Sequence, residues 1–110
     1  EAAVRLNPED AEAWTDLARA HTLRGDEGAR EAALRSALKL GVPAPRAHHF
    51  LGEIHMARGA HAEARAAFEA ALEQDPTQRV SWRGLAEAQG ALGSREDAED
   101  SLRRYREASR

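Results

Sequence analysis

Apolar and small residues fall along this chain in short stripes of helical spacing, separated by glycine and proline. Trp14, Leu17, Ala18 and His21 stand at offsets of 0, 3, 4 and 7, one face of an amphipathic helix. The run breaks at Arg24-Gly25-Asp26, where glycine can take the positive φ that ends a helix at little cost. Beyond the break, Ala33, Leu34, Ala37 and Leu38 form the inward stripe of a second helix. Similar second-helix stripes recur as Ala64, Ala67, Phe68, Ala71 and Leu72, then as Ala98, Ser101, Leu102 and Tyr105. Alanine and glycine at such crossings let two backbones approach to roughly 8–10 Å. Asn7-Pro8 and Asp75-Pro76 stop a helix, because the residue before proline is driven out of the α region. The segment "LGVPAP" makes the stop differently and leaves Pro45 at the tolerated start of the next helix. Ser94, with Asp97 three residues on, resembles a capping box and marks the last helix start. The pattern predicts an all-α chain of paired helices.

The stripes repeat. "NPEDAEAW" (7–14) and "DPTQRVSW" (75–82) share a frame 68 residues apart, and His48 stands halfway, 34 residues from both Trp14 and Trp82. Leu17, Leu51 and Leu85 align, as do Ala18, Gly52 and Ala86, then Gly25, Gly59 and Gly93, then Leu34, Phe68 and Leu102. This pattern resembles the tetratricopeptide repeat family, whose unit runs Trp, Leu-Gly/Ala, an aromatic, a glycine turn, Ala, a Phe-like residue, a small residue and Pro. Residues 45–78 carry Leu51-Gly52, Gly59, Ala64, Phe68, Ala71 and Pro76 of that unit. Residues 11–44 carry Trp14, Leu17-Ala18, Gly25, Leu34 and Ala37, and residues 79–110 carry Trp82, Leu85-Ala86, Gly93, Ala98 and Leu102. The departures are His21, His55 and Gln89 at the aromatic position, His48 for Trp, Arg30 for the close-packing Ala and Tyr105 for a small residue. The resemblance implies a right-handed α-solenoid of antiparallel helix pairs in one continuous domain. Its repeats are expected at 11–44, 45–78 and 79–110, and residues 1–10 read as the end of a preceding repeat's second helix. The chain is therefore expected to be a piece of a longer array or of a larger protein.

Composition agrees with helices packed through small side chains, since alanine dominates the apolar residues and aromatics make up only 5%. Sixteen basic against 19 acidic residues leave a net charge of −3, which gives no electrostatic reason to expect nucleic acid or an anionic membrane. Absence of cysteine excludes disulfide and thiolate chemistry. No apolar run approaches the ~18 residues of a membrane-spanning helix, and no signal peptide is visible. A soluble segment is expected, with a cytoplasmic setting favoured over a periplasmic one.

Little in the chain points to catalysis. It has no glycine-rich phosphate loop, no Gly-x-Ser-x-Gly and no His-Glu-x-x-His. The acid pairs Glu9-Asp10, Asp26-Glu27 and Glu96-Asp97 fall near helix starts, where they complement the helix dipole, a simpler role than acid–base work. His21, His48 and His55 occupy packing columns. His49 and Glu53, four apart, could hold a metal weakly but lack a third ligand, so no metal or other cofactor is expected. Arg24-Gly25-Asp26 spells an adhesion tripeptide, yet a turn glycine and a capping aspartate account for it. The basic "SLRRYREASR" tail suits a helix C-terminus better than a nucleic-acid patch.

What remains is a surface. In the family that the chain resembles, the first-helix faces line a concave groove for extended or helical peptides. Carried over by position, that groove contains Glu12, Thr15, Arg19 and Thr22 from the first copy. The second copy contributes Arg46, His49, Glu53 and Met56, and the third Val80, Arg83 and Glu87. Phe50, beside this stripe, is either a binding hot spot or a packing residue against the neighbouring pair. The expected function is a non-catalytic scaffold that binds a peptide segment or partner protein. One alternative is an accessory domain of a larger enzyme or assembly machine. Another is self-association through open repeat ends, where Val4 and Leu6 would meet solvent.

Overall fold

A computed structural model describes residues 8–108 as six helices: α1 (Pro8–Arg24), α2 (Glu27–Lys39), α3 (Pro45–Ala57), α4 (His61–Gln74), α5 (Arg79–Ala91) and α6 (Arg95–Ala108). No strand occurs among the described residues. Each odd-numbered helix packs most extensively on the one that follows it, giving three helix hairpins. The hairpins stack in chain order as an all-α solenoid, with α3 against α2 and α5 against α4. The described part measures 51 × 27 × 22 Å, with a radius of gyration of 14.5 Å. A compact domain of this length would have roughly 13 Å, so the stack is elongated.

The three hairpin turns are built alike. Gly25, Gly59 and Gly93 sit at φ of +75°, +77° and +85°. In each turn the residue after glycine donates its amide to a carbonyl five residues back: Asp26 to His21 (3.0 Å), Ala60 to His55 (2.8 Å) and Ser94 to Gln89 (2.9 Å). This Schellman arrangement satisfies carbonyls that the helix end would otherwise orphan. Asp26 then caps α2, its carboxylate accepting the Ala29 amide at 3.1 Å. The seams between hairpins also follow the proline reading, since α4 ends at Gln74 and Pro45 opens α3. One boundary differs: α1 already contains residues 8–10, which the sequence reading gave to a preceding helix. Val4, Leu6 and the rest of that leading segment lie outside the described residues.

Two core clusters run through the stack. The first joins α1, α2 and α3 through Ala11, Ala18, Leu34, Ala37, Ala47, Leu51 and Ile54; the second joins α4 and α5 through Ala64, Phe68, Leu72, Leu85 and Ala88. Phe68 is the central pin, at 1% exposure. A Cβ at Gly52 of α3 would lie 2.6 Å from its ring, and one at Gly84 of α5 would lie 2.5 Å away. Each glycine costs a helix interior about 1 kcal/mol relative to alanine. Here both glycines admit an aromatic ring between two helices that no alanine would allow.

The inward stripes of α2 and α4 are as expected, but that of α1 is not. Trp14 and Leu17 are 39% and 42% exposed, and the buried line of α1 is instead Ala11, Thr15 and Ala18. The corresponding positions of α5 explain the difference. Leu85 and Ala86 are buried and Trp82 is half-buried where α4 covers them. Among the described residues no helix stands in that place against α1.

Candidate functional site

The first helices touch across the hairpins, α1 with α3 and α3 with α5, while no such contact joins α2 with α4 or α4 with α6. The layer of first helices is therefore the inner, tighter side of the stack, and the faces of α1, α3 and α5 form its concave surface. The candidate residues divide along it.

On α1, Glu12 is exposed and ion-pairs with Arg46 of α3, whose guanidinium also reaches Asp16 at 3.1 Å. Burial works against the Arg46 charge, but the Asp16 and Glu12 carboxylates outweigh it and raise the Arg46 pKa. Arg19 and Thr22 are exposed, and the Thr22 hydroxyl donates back to the Ala18 carbonyl at 3.0 Å. Thr15 departs from the expectation. It is 1% exposed and donates its hydroxyl to the Ala11 carbonyl at 2.8 Å, so it faces the core and lines no groove. Phe50 of α3 is half-buried against the first core cluster, its ring 5.7 Å from the His49 ring and 5.9 Å from the Arg46 guanidinium. It therefore makes the packing contacts of one reading while part of it stays exposed.

Six candidates converge. His49, Glu53 and Met56 of α3 and Val80, Arg83 and Glu87 of α5 line one cavity of about 450 Å³ between the two helices, with Phe68 and Gly84 beneath. Val80 is 51% exposed, and Arg83 holds Glu87 only loosely at 3.7 Å. Sequence reasoning missed both floor residues. Gly84 carried a usable signal, as a glycine inside a helical stripe, one position after a groove column.

A buried polar relay supports one wall. Gln78 donates its side-chain amide to the Ser81 hydroxyl at 2.7 Å and to the Pro45 carbonyl at 3.1 Å. Ser81 Oγ also lies 3.0 Å from His49 Nδ1, in a hydrogen bond whose donor is set by the protonation of the imidazole. The Glu53 carboxylate can only accept, so His49 Nε2 donates to it at 3.2 Å, and Arg30 of α2 reaches the same carboxylate at 3.3 Å. The His49 hydrogen bond, with Arg30 adding, holds Glu53 below the ordinary carboxylate range against the opposing effect of burial. Neighbouring His48 is pushed the other way from charge, its pKa lowered by burial.

Ser81, His49 and Glu53 thus have the connectivity of a nucleophile, base and orienting acid. Ser81 is 0% exposed, however, and its oxygen is committed to Gln78 and His49, so no substrate carbonyl can reach it. The relay fixes rotamers and joins α2, α3 and α5. Among the described residues no group of three His, Cys, Asp or Glu side chains could hold a metal ion, and no helix is long and apolar enough to cross a membrane. Among the groove candidates Arg19, Arg46 and Arg83 balance Glu12, Glu53 and Glu87.

A family model described as tetratricopeptide repeat matches residues 1–29 and 27–79, and a second with the same description matches residues 55–110. No curated protein matches the chain. Two crystal structures of MamA are similar in fold. One has a TM-score of 0.80 and 23% identity, covering 94% of this chain and 60% of its own. The other has a TM-score of 0.77 and 24% identity, covering 93% and 56%. The chain therefore spans less than two thirds of either MamA chain.

Proposed function

The chain belongs to the tetratricopeptide repeat family, and from that premise we propose that it is a non-catalytic scaffold holding a peptide segment or partner protein in its concave groove. The observation that carries this reading is the convergence of six position-matched side chains on one open cavity between α3 and α5. Apolar walls, a polar rim and rigid helical supports suit capture of a side chain from a partner. The buried Ser81 hydroxyl, committed to Gln78 and His49, favours binding over catalysis in this cavity. Replacing Val80, Arg83 and Glu87 together by alanine tests it, because all three are exposed and their loss leaves the core intact. Capture of a purified partner should weaken roughly tenfold or more, with helicity unchanged by circular dichroism. Undiminished capture by the triple variant contradicts the groove reading.

A second reading, self-association through the face of α1, draws on one observation. Trp14 and Leu17 meet Ala13 and Leu40 in an apolar depression at the α1 end of the stack. Light scattering would then record a mass that rises with concentration and falls on Trp14→Glu substitution. A strict monomer at high concentration removes this reading.

A further inference from the structure

We propose that the cavity between α3 and α5 receives an aromatic side chain from a peptide segment of no net charge, filling the place that Phe50 fills one hairpin earlier. This rests on the reading of the groove as a binding site and names what the site selects. The 34-residue register makes Gly84 the counterpart of Phe50, Val80 that of Arg46, and Arg83 that of His49. In the earlier position a ring is present, half-buried and flanked by the His49 ring and the Arg46 guanidinium. In the later position a glycine stands, and a cavity of about 450 Å³ lies over it. Part of the missing volume is restored from below, because Phe68 occupies the register of Leu34 and its ring lies directly against Gly84. The remainder stays open to the groove.

The walls define the occupant. Met56, Val80 and the Phe68 ring present apolar and polarizable surface, and Met56 packs on the cluster containing Phe68. A methionine thioether favours contact with an aromatic ring. Arg83 sharpens that preference. Its guanidinium is exposed and tied to Glu87 only at 3.7 Å, so it can turn over an incoming ring face as Arg46 does over Phe50. The three arginines among the groove candidates balance their three carboxylates, so a strongly charged segment gains no net attraction and bears the desolvation of its own charges. An aromatic anchor in an uncharged stretch is the occupant these features fit.

The test uses two probes, N-acetylphenylalaninamide and N-acetylleucinamide, titrated into the whole chain and followed by NMR. The phenylalanine probe should shift the Gly84 amide and the Val80 and Met56 methyl signals, with ring-current displacements. Its affinity should exceed that of the leucine probe, and Arg83→Gln should lower the ratio of the two by roughly two- to fivefold. Equal affinities, a ratio that Arg83→Gln leaves unchanged, or shifts confined to Trp14 and Leu17 would each overturn the inference. Should the probes fail here while the alanine triple variant still loses its partner, the aromatic preference falls and the groove reading stands. Should the triple variant also keep its partner, both fall.

Discussion

Replacing Gly84 by alanine sets two known effects against each other at one atom. Alanine in a helix interior is favoured over glycine by about 1 kcal/mol, so an unobstructed Gly84→Ala change would stabilise α5. The added Cβ, however, would lie 2.5, 2.6 and 2.9 Å from Cε1, Cζ and Cδ1 of Phe68, whose ring is 1% exposed. That ring has little room to retreat, since a Cβ built on Gly52 of α3 would lie 2.6 Å from the same Cε1, so the ring edge already sits close to both helix backbones. Overpacking of this kind costs roughly 1–3 kcal/mol. The clash outweighs the propensity gain, and the net expectation is a loss of up to about 2 kcal/mol, a melting temperature lower by several degrees. Phe68→Leu removes the two nearest obstructing carbons, Cε1 and Cζ, and in that background Gly84→Ala should become neutral or stabilising by up to about 1 kcal/mol. Urea unfolding followed by circular dichroism at 222 nm on the four proteins of this cycle measures the coupling. A coupling of about 1–3 kcal/mol is expected. If Gly84→Ala stabilises the wild-type chain, or if the two changes add to within about 0.5 kcal/mol, the pinned-ring account is wrong.

Other expectations follow from the same contacts. Glu31 accepts from Arg58 and Arg35, both at 2.8 Å, and these partners lower its pKa to about 2. Its folded value lies below its unfolded one, so its stabilisation is present above roughly pH 4.5 and is lost as pH falls towards 2. Glu31→Gln should cost no more than about 1 kcal/mol at neutral pH, because the site is partly solvated, and the difference from wild type should vanish near pH 2 in urea titrations. Ser81→Ala orphans His49 Nδ1 and one Gln78 hydrogen bond, and should cost about 1–3 kcal/mol in the same assay. Asp26→Ala removes the cap on α2 and should cost about 1 kcal/mol, with Asp26→Asn restoring most of it.

Most of the architecture was legible because local and periodic signals agree. Gly25, Gly59 and Gly93 mark turns that need positive φ, and the stripes through Leu34 and Phe68 mark faces that must be buried. The failures are equally physical. Trp14 and Leu17 look like core from their spacing, but spacing gives a face and not the element that covers it. Thr15 sits at a groove offset yet turns inward, because its hydroxyl can satisfy itself on the Ala11 carbonyl of its own helix. The candidates on α3 and α5 line one cavity, since two neighbouring hairpins fix their spacing. The His49–Ser81 contact was not legible. It joins residues 32 apart, with nothing local to signal it.

The central claim is that the concave face of the first helices, and not the outer layer of second helices, holds the partner. Photo-cross-linking decides between the two faces, with a benzophenone side chain placed at Arg83 of α5 or at Glu69 of α4, both exposed positions. The account expects a partner adduct from position 83 and none from position 69. An adduct from position 69 with none from position 83 would contradict it.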